Sequence, residues 1–434
     1  MSPHFPPVNT ADMQRVRMLL PFFRENEWEA EVLAVDPDQI NAPRDPWLEA
    51  DLPRDVRVHR VRGLSPRWSR IPGFGTIGLR ILNALRRRGN QLLRDGSFDL
   101  VYFSTTVMEV HILGPYWRRK FKVPFVMDYQ DPWVSDYFRT RPAIVPPGGR
   151  AKFFLAEFLH RWMEPRVLRR CSGITSVSPA YVRELQERYP FTVPCLVLPF
   201  PGSSRDIARL ESGRVTQTRF SAGDGYLHWV YVGVVVPGML KPIRAVFQAV
   251  SEDQDLRSRV RFHFIGTSYA SAGRANSHVV EAAQEFGLAD SVTEFTDRVS
   301  YAEALCCLRD ADALLAFGSD EASYTPSKIY PYLQARRPLL AVFHRMSPVI
   351  DVLNRVCGAV CIPFDSEDLV SDLAARIAES WLAGGQSSRS VPLNEAAFEM
   401  YSDRAGSVAI SRFFDRCVAG HLLPSGVTLA ENRR

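Results

Sequence analysis

Short apolar runs rich in β-branched residues alternate with helix-patterned stretches along most of this 434-residue chain, and no other feature restricts its fold as much. Strand-like runs fall at 31–36, 56–61, 100–104, 125–128, 173–177 and 196–198. They resume at 229–236, 261–265, 292–295, 313–317, 338–342 and 359–362. Between the later runs lie helical patterns such as 243–250, 279–286 and 302–309. Strands that are apolar on both faces and separated by helices belong to parallel sheets covered on both sides.

The alternation breaks once. Residues 202–226 are polar, rich in Gly, Ser and Arg, and carry no apolar period, which reads as an interdomain connection or an exposed excursion. The chain is too long for one ordinary core. The pattern therefore predicts an α/β fold of two Rossmann-like, doubly wound parallel-sheet domains facing a cleft. Their expected bounds are 1–201 and 227–402, joined by 202–226. A last helix near 403–418, followed by a tail to 434, would pack across the boundary. One feature departs from the pattern. Such a domain opens with a central strand, whereas this sequence begins in the loop that would follow it. Either the start lies upstream or the first sheet lacks a strand.

Composition excludes several classes. No apolar run reaches 18 residues, so a spanning helix is not expected. The stretch MSPHFPPVNT has neither a basic start nor an apolar centre, unlike a signal peptide. Seven cysteines in mostly apolar surroundings suit buried free thiols in a reducing cytoplasm. Cys357 and Cys361 lack further ligands in sequence, so no metal site is expected. A net charge of +5 is too small to argue for nucleic acid, and no aromatic-basic motif accompanies it.

The segment 311–342 (ADALLAFGSDEASYTPSKIYPYLQARRPLLAV) reads as buried strand, loop, helix and buried strand. Thr325 suits an N-cap, Pro326 the first helical position, and Ser327 and Lys328 the first turn. Helix N–H groups and a lysine at the carboxyl end of a strand make a seat for a diphosphate. A lysine in a first turn opposes the helix dipole unless an anion lies beside it.

Several pieces, in order, resemble the two-domain (GT-B) glycosyltransferases, specifically retaining family 4 and its bacterial surface-polysaccharide members. They are Pro6-Pro7 with Met13-Gln14-Arg15-Val16-Arg17, then Phe98-Asp99-Leu100-Val101-Tyr102, then 123–133 (VPFVMDYQDPW). Tyr231-Val232-Gly233, Phe264-Ile265-Gly266, 309–313 (RDADA), Pro326-Ser327-Lys328 and Arg337-Pro338 follow. The resemblance implies an acceptor-binding first domain and a donor-binding second domain. The donor would be a nucleotide diphosphate sugar, used without metal or other cofactor. It implies donor contacts at Gly233, Lys241, Gly266, Thr325, Ser327 and Lys328.

Departures from that family pattern are specific. The family's two glutamates, eight positions apart, would fall on Ser323 and Pro331, neither acidic. Glu321 lies two residues before Ser323 and is the candidate for holding donor-sugar hydroxyls. Gly233 is followed by Val234 rather than arginine. Asp131, at the end of PFVMDYQD, is the candidate for orienting the acceptor hydroxyl, against the simpler role of capping a turn. Asp128 and Gln130 are weaker candidates, because alternate strand residues face opposite ways. Asp310 and Asp312 read as a helix-to-strand turn, His111 as a core histidine, and Tyr269 and Tyr301 as packing aromatics.

Two basic amphipathic stretches, 77–93 and 153–170, fit either a helix packed on its own sheet or a surface for anionic lipid. The expected function is sugar transfer to a hydroxyl of a glycan or lipid-linked glycan, in the cytoplasm or at the inner face of the membrane. Nucleic acid is not an expected partner. The missing glutamates leave a weakly catalytic binding subunit as an alternative, and the shared scaffold leaves a sugar-nucleotide epimerase.

Overall fold

The computed structural model describes residues 1–422 except 66, 69–75, 135–138, 140–148, 214, 269–276, 322–327 and 391. The chain divides into two compact units. One is Met1–Pro199 with Arg404–Arg434, and the other is Phe200–Asp403.

The first unit carries β1 (Val32–Val35), β2 (Val58–Val61), β3 (Val101–Ser104), β4 (Phe125–Tyr129), β5 (Gly173–Ser176) and β6 (Cys195–Val197). Every pairing is parallel. The strands form two pieces, β1-β2 and β3-β4-β5-β6. The first residues span the gap at its carboxyl end. The Met1 amino group donates to Tyr102 O at 2.8 Å, Ser104 N to Met1 O at 3.0 Å, and Ser2 N to Leu33 O at 3.0 Å. Burial pulls the Met1 amino group down to about 5. Below this bridge the edges of β1 and β3 border a pocket lined by Leu33, Leu20, Trp117, Val101 and Phe414. That pocket reaches Asp99 and Leu100, toward the amino end of β3.

Four helices matter here: α1 (Gln14–Leu19), α2 (Ile77–Asp95), α3 (Leu113–Phe121) and α4 (Arg150–Leu168). Ile81 and Leu85 of α2 are fully buried among Phe103, Trp117 and Phe125. The chain's last described helix, Asp403–Leu422, brings Ile410, Phe413, Phe414 and Cys417 against Phe5, Leu19 and Val126. Gly173 of β5 permits that approach: a Cβ there would stand 2.5 Å from Cys417 Sγ.

The second unit is one six-stranded parallel sheet. Its strands are β7 (Leu227–Val232), β8 (Val260–Ile265), β9 (Val292–Phe295), β10 (Ala313–Phe317), β11 (Leu339–His344) and β12 (Val360–Phe364). They lie in the order β12-β11-β10-β7-β8-β9. One face packs beneath Ile243, Val246 and Phe247, the other beneath Ile329, Tyr332 and Leu353.

Within 202–226, read as a connection, the structure places a helix, Ser204–Ser212. Ser203 caps it, and Asp206 and Leu210 are buried. The apolar period there is too short to register in sequence, yet the cap and one buried leucine suffice once a core is beside them. The segments by which the chain enters and leaves this unit are tied together. Ser203 Oγ and Ser204 Oγ donate to the two Asp403 carboxylate oxygens at 3.0 and 3.1 Å, and Gly202 N donates to Tyr401 O at 2.9 Å.

Candidate functional site

In the second sheet, β8 and β9 lie to one side of β7, the first strand in sequence, and β10, β11 and β12 to the other. Strand order reverses between β7 and β10, and open parallel sheets bind ligands at the carboxyl edge of such a reversal. Here the two strands pair only through Ala313–Trp229 and Leu314–Val230, at the amino end of β10 and the middle of β7. Beyond that, Tyr332 fills the gap. Its hydroxyl receives Val232 N at 2.6 Å and donates to Val232 O at 3.1 Å. This latches the helix α5 (Ile329–Gln334) to β7.

Lys328 immediately precedes α5 and reaches this opening. Its Nζ donates to the Tyr231 hydroxyl and stands 4.3 Å from the centre of that ring. The Tyr231 hydroxyl in turn donates to Val234 O at 2.8 Å. Gly233 makes room: a Cβ there would lie 2.9 Å from Lys328 Nζ, and φ is +137°. Burial pulls the Lys328 ammonium down to about 7, and among the described residues no carboxylate pairs with it. An anion would restore the charged form and supply the missing partner.

Other donor-site candidates surround this point to different degrees. Gly266 ends β8 with φ +73° and donates to Phe295 O at 2.8 Å. Glu321 follows β10, half-buried, with its N–H on Ser319 Oγ at 3.2 Å. The adjoining Asp320 packs so closely on Gly238 that a Cβ there would lie 2.1 Å from the carboxylate. Lys241 is engaged elsewhere. Its Nζ donates to Ser366 O and to Asp368 O, the latter at 2.9 Å, fastening the helix α6 (Leu240–Ser251) to the loop after β12. Thr325 and Ser327 lie outside the described residues, as does Tyr269.

In the first unit the carboxyl ends of β3, β4 and β5 bring Ser104, Asp128 and Thr175 into register. Asp128 is fully enclosed. It accepts from Arg15 Nε at 2.7 Å, Ser104 Oγ at 2.8 Å, Gln130 Nε2 at 2.7 Å and Thr175 Oγ1 at 2.8 Å. Arg15, from α1, continues to Leu198 O at 2.6 Å. Asp128 and Gln130, near each other in sequence, thus meet in one buried network, because the strand ends at Tyr129 and its alternation lapses.

Asp131 lies just beyond, with its side chain exposed. Desolvation by the protein around it, then the negative charge of Asp12, raise its carboxyl to about 6. Asp12 itself is buried. Burial favours its protonated form, but the His4 charge and hydrogen bonds from His4 and Thr106 outweigh that and lower its pKa. His4 Nδ1 stands 2.9 Å from Asp12 Oδ2, and Thr105 Oγ1 donates to the same oxygen at 3.1 Å. Sequence reasoning passed over His4, Asp12 and Tyr231 as site residues. Their only signal was position, His4 and Asp12 in the loop with which the sequence begins and Tyr231 in the Tyr231-Val232-Gly233 strand motif.

His111 is buried against Phe103 and Trp133, with Nδ1 3.1 Å from Met108 O, and burial pulls it down to about 4. Asp312 holds the turn read for it. His228 N donates to its carboxylate at 2.8 Å, at the amino end of β7.

Residues 14–201 match the family model described as Glycosyl transferase 4-like domain. No curated protein matches the chain in sequence. Among solved structures, sucrose-phosphate synthase from Thermosynechococcus elongatus is 13% identical, with TM-score 0.61, over 95% of this chain and 94% of that one. The UDP-forming α,α-trehalose-phosphate synthase of Burkholderia xenovorans in complex with glucose-6-phosphate is 13% identical, with TM-score 0.61, over 96% and 99%. Anabaena HepE in complex with UDP-glucose is 12% identical, with TM-score 0.55, over 96% and 98%. The likeness establishes that this chain has the α/β fold of GT-B structures.

Proposed function

We propose that this chain, a glycosyltransferase by its N-terminal family match and its GT-B fold, transfers a sugar with retention from a nucleotide diphosphate sugar to a hydroxyl of a glycan or lipid-linked glycan in surface-polysaccharide synthesis. The observation that carries the donor half is Lys328 at the strand-order reversal, set in the notch of Gly233 and, among the described residues, without a carboxylate. A diphosphate there would be met by a cation in a partly dry site, where electrostatic stabilisation of the leaving group is strongest. Lys328 supplies positive charge to the departing phosphate, so the reading needs no metal. Uridine diphosphate sugars are the first donors to try, because HepE is a neighbour solved with UDP-glucose.

Glu321 is the proposed contact for donor-sugar hydroxyls. Lys241 would reach the diphosphate only by releasing Ser366 O and Asp368 O, so Lys328 is the principal cation. Gly266 would let a nucleotide approach the end of β8, as a residue without a Cβ does. Thr325 and Ser327 remain proposed phosphate contacts. In the first unit Asp131 would orient the acceptor hydroxyl and take its proton, as a carboxylate within reach of a hydroxyl can.

Thermal-shift measurement against nucleoside diphosphates and their sugars, followed by product analysis, tests this reading. A ligand present at one hundred times its Kd stabilises the fold by about 2.7 kcal/mol. The expected result is a shift with one base that is lost in Lys328→Ala, and transfer that is lost in Asp131→Asn while the shift remains. Binding without transfer to any acceptor would favour the weakly catalytic subunit, and an altered sugar in the absence of acceptor would favour the epimerase.

A further inference from the structure

The two basic amphipathic stretches look alike in sequence, but the structure spends only one of them on its own core. In α2 the apolar residues Ile81 and Leu85 are fully buried. In α4 the inward face is already supplied by Met163, Val167 and Leu168, at 3%, 0% and 1% exposure. A second apolar set faces outward: Phe154 at 49%, Leu155 at 60%, Phe158 at 74% and Trp162 at 45%. A helix apolar on two sides is ordinarily buried on both, and contiguous exposed apolar surface marks an interaction site.

The outward set is ordered. Phe154, Phe158, Trp162, Arg166 and Arg169 follow at helical spacing, so they form one stripe, apolar first and cationic after. It runs roughly 22 Å at 1.5 Å per residue. Arg166 marks the change, its guanidinium 4.0 Å from the centre of the Trp162 ring. At the cationic end the stripe opens on a pocket lined by Arg118, Arg119, Lys122, Arg166, Arg169 and Arg170, with Pro115 and His421 and, among the described residues, no carboxylate. Among the described residues none of those six cations forms an ion pair with Asp or Glu. Some serve helix ends: Arg118 reaches Arg170 O, and Arg169 Nε donates to Pro165 O at 3.1 Å. Each such contact uses one or two N–H groups of a guanidinium that carries five.

We infer that α4 and this pocket form a docking surface for a lipid bilayer bearing anionic headgroups. The apolar part of the stripe would enter the headgroup–acyl boundary, and the pocket would take headgroup phosphates beside it. A free phosphate would explain the pocket but not the apolar surface continuous with it. A second copy of the chain would bring the same uncompensated positive charge to the same place. Contact at the bilayer surface also agrees with the absence, among the described residues, of any helix long and apolar enough to cross a membrane. The inference rests on the proposed lipid-linked acceptor for its purpose, but docking is measured without turnover, so failure of either reading leaves the other standing.

Sedimentation of the full chain with sucrose-loaded vesicles tests it. One set is phosphatidylcholine alone, the other phosphatidylcholine with phosphatidylglycerol. The chain should pellet with the anionic set, be released by salt, and lose roughly fivefold in affinity for each arginine removed in Arg166→Ala and Arg169→Ala. Phe158→Ser with Trp162→Ser should abolish pelleting at unchanged melting temperature, since both positions are exposed. Inorganic phosphate at headgroup-equivalent concentration should compete only weakly. No pelleting with anionic vesicles, equal pelleting with both sets, full displacement by inorganic phosphate, or a dimer broken by Phe158→Ser would each overturn the inference.

Discussion

At the carboxyl edge of the first unit's sheet, Asp128 is ringed by Arg15, Ser104, Gln130 and Thr175. At the corresponding edge of the second unit's sheet, Lys328 touches one tyrosine and no carboxylate among the described residues. Both charges are drawn in from solvent, and each pays differently. Asp128 has its full set of donors, and such a network fixes a scaffold. Lys328 has no carboxylate partner among the described residues, and burial lowers its pKa. Two charged residues at equivalent edges of related sheets therefore have opposite meanings. The completed one holds α1 against β4, and the incomplete one is where we propose that a ligand's charge is met.

Four experiments break or sharpen that contrast. Removing the partner of a buried charge is the most damaging. Arg15→Met should cost about 3–5 kcal/mol in denaturant unfolding, and a loss below the usual surface range would mean that the Asp128 network is not structural. Gly233→Ala combines a positive φ with a Cβ set against the Lys328 ammonium. It should lose about 1–3 kcal/mol of stability and weaken nucleotide binding as well. Lys328→Ala should do the reverse of Arg15→Met. Nucleotide affinity should fall by about 1.5–3 kcal/mol, the worth of charged hydrogen bonds, while the free protein's melting temperature does not drop.

The smallest effect is a pH dependence. A base whose folded pKa lies below its unfolded value is held neutral by the fold, so the penalty for Lys328 is present below about 7 and is relieved as pH rises toward its unfolded value. Nucleotide binding needs the charged form and should therefore weaken as pH rises through 7. Lys328→Arg, always charged, should bind with no such slope. A wild-type affinity flat from pH 6 to 9 would place the diphosphate away from Lys328.

Much of the fold was legible locally. All twelve predicted strand runs are strands, displaced at their ends by a few residues, because apolar β-branched runs have few alternatives inside an α/β pattern. Gly233 and Lys328 were each legible as motif residues. Their contact was not, because it depends on β7 and β10 becoming neighbours across nearly a hundred residues of chain. Lys241 shows the converse. It was named as a phosphate contact from its place in the sequence, while its ammonium went to Ser366 O and Asp368 O, an outcome set by where the loop after β12 passes.

The helix pair teaches the same lesson. Residues 77–93 and 153–170 carry similar apolar and basic patterns, and only packing decided that Ile81 and Leu85 would be buried while Phe158 and Trp162 would not. By itself the sequence determined the order and type of the elements and the parallel α/β architecture, since these follow from period, propensity and side-chain chemistry. The tertiary structure alone decided which charges were completed and which left wanting, because counter-charge and desolvation depend on neighbours brought from far along the chain.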